Sequence, residues 1–112
     1  YQPSRGLGDV YKRQDLDKGI NNSDIVMMLR IQNERILDTE LPSTEDYFIK
    51  YGLSSERLKI AKKDVLVMHP GPINRDVEIE SSLADDVNKS VINEQVENGV
   101  AIRMACLAIL LD

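Results

Sequence analysis

Two short stretches of this 112-residue chain carry residue types suited to holding a small anion. The first is Leu29-Arg30-Ile31-Gln32-Asn33-Glu34-Arg35. In extended chain Arg30 and Gln32 project to one side and Ile31 to the other. An arginine grips a carboxylate through two parallel hydrogen bonds, and a glutamine beside it adds a donor and an acceptor. A solvated loop with an internal Glu34–Arg35 charge pair fits the same spacing. The second stretch is His69-Pro70-Gly71-Pro72-Ile73-Asn74-Arg75. Two prolines around one glycine fix a rigid turn, and the Gly71–Pro72 bond has the cis form open to it. Glycine also lets a ligand approach the backbone closely. A stiff structural turn fits these residues too, and a lone histidine such as His69 more often serves backbone hydrogen bonding than base catalysis.

The elements that must carry these stretches decide between the readings. A polar, helix-compatible segment from Asp15 to Asn22 stops at Asn21-Asn22-Ser23. The apolar run Asp24-Ile25-Val26-Met27-Met28-Leu29 reads as a strand buried on both faces, as in a parallel sheet. Arg30 to Gly52 is long and polar, broken by Pro42. Ser54 looks like an N-cap, with Leu53 and Leu58 at hydrophobic-staple spacing, opening a helix expected to end at Lys62-Lys63. A second strand, Val65 to Met68, follows, then a Pro/Gly loop and a polar linker through Asn88.

The last element is a long helix. Ile92, Val96, Val100, Met104, Leu107 and Leu111 recur as one helical face, and Gly99 inside it suggests close packing or a bend. Strand, connection, helix, strand is the alternation of a parallel α/β sheet. Ligands of open α/β sheets bind beyond the carboxyl ends of the strands. Both stretches occupy that position, so they are expected to converge into a small-anion site.

Composition narrows the partners. Apolar content of 42% is ordinary for a globular domain, and the net charge of −5, without basic residues interleaved with aromatics, argues against a nucleic-acid surface. The longest apolar run, Met104 to Leu111, is too short to cross a bilayer, and nothing points outside the cytoplasm. Cys106 is the only cysteine, expected to be reduced and buried. One histidine and one cysteine make no zinc site of the usual kind, so no metal is expected.

Tyr1 to Gln14 differs in character from the rest. Asp9-Val10-Tyr11-Lys12-Arg13-Gln14 reads like a translated sequencing adapter, so residues 1–14 are expected not to be native and to add nothing to the fold. The lone Gly6-Leu7-Gly8 has no strand before it and is weak evidence for phosphate binding.

Three motifs in order carry a family resemblance: Met27 through Arg35, Met68 through Ile79, and the tail Ser90-Val91 to Gln95-Val96 with Asn98 through Ala105. Together they strongly resemble aspartate carbamoyltransferase catalytic chains, from about Asp15 to Leu111. The resemblance implies an α/β fold. Residues 15–88 would form part of the parallel-sheet aspartate-binding domain, and residues 89–112 the C-terminal helix that packs on a carbamoyl phosphate domain lying outside this chain. It implies transfer of a carbamoyl group from carbamoyl phosphate to L-aspartate in pyrimidine synthesis, in a cytoplasmic homotrimer, with no cofactor. Regulatory chains or a dihydroorotase are partners such a parent could have.

The same resemblance assigns Arg30 and Gln32 to L-aspartate, and Gly71 and Pro72 to carbamoyl phosphate through the backbone. Arg75 and Glu34 match positions of loop ordering and domain closure. The family's Ser-Thr-Arg-Thr phosphate motif, catalytic histidine and mobile lysine loop are absent from these residues, and His69 is not that histidine. No general acid or base is assigned, and the chain alone is expected to be inactive. Ornithine carbamoyltransferase would show His-Cys-Leu-Pro where His69-Pro70-Gly71-Pro72 stands. A non-catalytic homologue used as an assembly subunit is the alternative from another class.

Overall fold

A parallel pair of short strands organises the chain. The computed structural model describes residues 10–32 and 43–111. Strand β1 (Ile25–Met27) pairs in parallel with β2 (Leu66–Met68), matching Ile25 to Leu66, Val26 to Val67 and Met27 to Met68. The ladder runs one bond further, with Met28 N–H donating to Met68 O at 3.0 Å. On the other side of β2 the segment Lys89–Val91 lies alongside Val67, whose N–H donates to Lys89 O and whose carbonyl accepts from Val91 N–H.

The expectation of a strand over Asp24–Leu29 buried on both faces is corrected. Only Val26 of β1 is buried, and Ile25 and Met27 are about half exposed. One face, carrying Val26 and Val67, meets a core of Ile20, Leu53, Leu58, Val65, Ile79, Leu83, Ala84 and Ile92. Among the described residues no layer fully covers the other face, which carries Ile25, Met27 and Leu66.

Helix α1 (Leu16–Ile20) begins where Asp15 accepts backbone N–H bonds from Asp17 and Lys18, and it buries Ile20. Inside the polar stretch after β1 the structure forms α2 (Thr44–Tyr51), which the sequence reading did not resolve. Its signals are Ser43, whose Oγ accepts from Asp46 N–H, and acidic residues in the first turn. Arg57 then closes the carboxyl end of α2, donating to Gly52 O at 2.6 Å and Ile49 O at 2.8 Å while pairing with Asp17 of α1 at 2.8 Å.

Ser54 caps α3 (Ser55–Leu58) as expected, accepting from Arg57 N–H at 3.1 Å, and Leu53 and Leu58 are both buried. The helix does not reach Lys62-Lys63. Ile60 and Ala61 bond three residues back, and Lys62 N–H donates across to Ser23 O. That cross-link to the turn before β1 takes the chain out of the helix. The linker before Asn88 also carries an unexpected helical turn, α4 (Ser81–Ala84), which buries Leu83 and Ala84.

The long helix α5 spans Ile92–Leu110 and makes contact with β2 near its start. Ile92 is buried, and every residue from Val100 to Leu111 is exposed. The apolar face read from the sequence is covered only at its start: Ile92 is buried, Val96 and Val100 are about half exposed, and Met104 and Leu107 are more so, as are Ile102 and Ile109 off that face. Cys106 is exposed rather than buried, since nothing described packs on this part of the helix. A side chain at Gly99 would meet nothing within 4 Å, so no close neighbour accounts for that glycine here. No described helix is long and apolar enough to cross a membrane.

Candidate functional site

Arg30 and Gln32 follow the carboxyl end of β1, and Gly71 and Pro72 follow the carboxyl end of β2. The register makes Met27 and Met68 opposite partners, so Arg30 and Gly71 stand equally far past the last paired residues. Arg30, Gln32 and Pro72 are exposed and Gly71 is half-buried. Asn33, Glu34 and Arg35 lie outside the described residues.

The Gly71–Pro72 bond takes the cis form that the sequence left open to it. Gly71 has φ +70°, in the left-handed region where a side chain is disfavoured, and an added Cβ would sit 3.3 Å from Val96 of α5. The backbone conformation thus favours glycine here, and the Val96 contact leaves little room for a side chain.

His69 supports this turn from beneath. It is fully buried, and its Nδ1 accepts the Gly71 N–H at 2.8 Å. With Nδ1 occupied as an acceptor, the ring proton sits on Nε2, which donates to Glu78 Oε1 at 3.0 Å. His69 also donates its backbone N–H to Gln95 of α5 at 2.9 Å. The histidine thus makes structural bonds in which both ring nitrogens are used, in keeping with its expected role as a hydrogen-bonding residue.

Glu78, also fully buried, accepts a second bond at the same Oε1 from Asn74 N–H at 2.7 Å. Its Oε2 is buried without a hydrogen-bond partner among the described residues. Burial, and then the charge of Glu78, hold the Tyr47 phenol above its ordinary pKa. The side chain of Asn74 reaches the other arm, with Nδ2 donating to Ile31 O at 2.9 Å. The two arms are therefore brought together, as their placement on the strands required.

Glu78, Asn74 and Gln95 were not singled out from the sequence. One signal for Glu78 was available: a carboxylate set between Val77 and Ile79 is flanked by apolar residues. Arg75 donates twice to Asp85, at 2.7 and 2.9 Å, and this pairing raises the arginine's pKa and lowers that of Asp85.

A groove of about 510 Å³ lies elsewhere, beside Val65 at the amino end of β2, edged by Lys59, Lys62, Lys63 and Lys89. Lys59 pairs with Glu56 and Lys62 with Asp24, and Lys89 donates to the Lys63 carbonyl. It sits at the wrong end of the parallel strands for the site described above. Among the described residues no cluster of His, Cys, Asp and Glu could hold a metal ion.

Comparison with known proteins agrees with this architecture. A family model described as aspartate/ornithine carbamoyltransferase, Asp/Orn binding domain, matches residues 3–110, a span that takes in part of the Tyr1–Gln14 segment. The aspartate carbamoyltransferase catalytic subunit of Sphingopyxis alaskensis is 59% identical over 96 residues, covering 86% of this chain and 28% of that protein. Ornithine carbamoyltransferase from Pyrococcus furiosus superposes with a TM-score of 0.70 at 26% identity, covering 84% of this chain and 29% of that one. Aspartate transcarbamoylase from Trypanosoma cruzi, in complex with aspartate and phosphate, gives 0.62 at 26% identity, covering 87% and 27%. The chain thus spans less than a third of the length of these relatives. With parallel strands, a long terminal helix and a family match across nearly its whole length, the chain belongs to the aspartate/ornithine carbamoyltransferase family, in its Asp/Orn-binding domain.

Proposed function

We propose that this chain is the L-aspartate-binding part of an aspartate carbamoyltransferase catalytic chain. The observation that carries the reading is the register of β1 and β2, which sets Arg30–Gln32 beside Gly71–Pro72 at the carboxyl ends of adjacent parallel strands. Arg30 holds a carboxylate of aspartate and Gln32 supports it. The backbone at Gly71 and Pro72 faces carbamoyl phosphate beside its carbonyl. The aspartate amine attacks the carbonyl carbon, the bond to the phosphate oxygen breaks, and the amine loses a proton, giving N-carbamoyl-L-aspartate and phosphate. Charge builds on the carbonyl oxygen and the departing phosphate, so positioning and fixed dipoles supply the rate. None of these 112 residues is assigned as the acid or base.

Aspartate is favoured over ornithine by the His69-Pro70-Gly71-Pro72 turn, by the cationic Arg30 and by the 59% identity to a catalytic subunit of that name. The same reading places the parent in the cytoplasm as a homotrimer serving pyrimidine synthesis, open to regulatory chains or a dihydroorotase. It also packs α5 on the carbamoyl phosphate domain of that parent.

The test is Arg30→Ala in the parent chain. Losing charge-assisted bonds worth about 1.5–3 kcal/mol should lower kcat/KM for aspartate by roughly ten- to more than a hundredfold. Carbamoyl phosphate binding should be nearly unchanged. Equal loss of both ligands would mean that Arg30 acts structurally and would defeat the assignment.

A further inference from the structure

We propose that Asn74, backed by the buried His69–Glu78 pair, is a positioning residue that fixes the Arg30–Gln32 arm against the Gly71–Pro72 turn. This rests on the assignment of the two arms to aspartate and carbamoyl phosphate given above. An unbroken run of hydrogen bonds joins them. Gly71 N–H donates to His69 Nδ1 at 2.8 Å, His69 Nε2–H to Glu78 Oε1 at 3.0 Å, and Asn74 N–H to that same oxygen at 2.7 Å. Asn74 Nδ2 then donates to Ile31 O at 2.9 Å.

The last contact falls on the peptide unit that joins Ile31 to Gln32, so it sets the direction in which Gln32 leaves the chain. Arg30 immediately precedes this unit. At its other end the run holds the backbone N–H of Gly71 itself. His69 and Glu78 are fully buried, and Glu78 places both of its bonds on one oxygen while the other has no partner among the described residues. A carboxylate held that way serves as a convergence point for two N–H groups, one from each side of the turn. Asn74 carries this fixed frame across to the other arm through its side-chain amide, from a half-buried position outside the apolar core.

Attack of the aspartate amine on the carbamoyl carbon depends on the relative placement of the two arms. A misplacement of about 1 Å costs roughly a hundredfold in rate. Asn74→Ala in the parent chain should therefore lower kcat/KM for aspartate by about ten- to a hundredfold, with part of the loss in kcat. The dissociation constant for carbamoyl phosphate, measured by equilibrium dialysis, should stay within about twofold. Asn74→Asp, which has no N–H to give Ile31 O, should match it.

His69→Asn keeps an acceptor for Gly71 N–H but cannot reach Glu78. Combined with Asn74→Ala, it should show less than the product of the two separate losses, because both break one run. Undiminished kcat/KM in both Asn74 variants, or equal loss of both substrates, would overturn the proposal without needing the histidine variant to fold. Arg30→Ala, measured alongside, separates the two ideas. A normal aspartate KM in that variant defeats the assignment of the arm, whereas a raised KM there with a silent Asn74 defeats only the coupling.

Discussion

The exposed apolar surface of α5 should make this chain self-associate, and charges placed on it should stop that. Leu107 is 57% exposed, Ile109 76%, Leu110 79% and Leu111 81%, with Ile102 and Met104 close to two-thirds. Full burial of such a side chain is worth about 1.5–3 kcal/mol, so each retains roughly 1–2 kcal/mol still to be gained. A helix pairing buries about half of these six side chains on each copy, or on the order of 6–12 kcal/mol for a dimer. Association costs about 4–15 kcal/mol in lost freedom, which leaves a net value reaching the micromolar range at the favourable end. Sedimentation velocity on the 112-residue chain from about 1 to 200 μM should show mass rising with concentration across that window. Ile102→Glu with Ile109→Glu puts two carboxylates on a surface that must be desolvated, and should shift the midpoint upward by at least about tenfold. Since both residues are exposed, helix content by circular dichroism should not change. A chain that stays monomeric at 200 μM, or a double variant that associates as readily as the parent sequence, would refute the reasoning.

Three further outcomes are expected. Asp76, Glu80 and Asp85 have pKa values lowered chiefly by the Ser81 N–H, the Ser55 N–H and Arg75, respectively. Their contribution to stability is therefore complete above the unfolded carboxylate range and lost as pH falls through their lowered folded values. The thermal midpoint should drop below about pH 4, and Asp76→Asn with Glu80→Gln should flatten that drop. Gly52→Ala should cost about 1–3 kcal/mol in a urea titration, because the new Cβ would lie 2.3 Å from the Phe48 ring and 2.6 Å from its carbonyl oxygen. Deleting residues 1–14 should leave the thermal midpoint within about 2 °C, as residues 10–14 are exposed and form no helix or strand.

The sequence by itself determined the parts that depend on local chemistry and period. The apolar runs before Arg30 and His69 had to be strands, Ser54 had to cap a helix, and the spacing from Ile92 to Leu111 had to be helical, because each signal is complete within a few residues. The strand ends then placed Arg30, Gln32, Gly71 and Pro72 together without knowledge of any contact. What only the tertiary structure decided was which faces are covered and which polar groups meet. Ile25 and Met27 read as core but lie on a face that no layer among the described residues fully covers, and Cys106 sits in an apolar run that none of them covers. The α3 helix ends early because Lys62 N–H finds Ser23 O, 39 residues back along the chain, rather than the next helical carbonyl. The run from Gly71 through His69, Glu78 and Asn74 to Ile31 was illegible for the same reason. Its bonds join groups whose separation in sequence carries no period, and the one that crosses, Asn74 to Ile31, forms between loops that β1 and β2 set side by side.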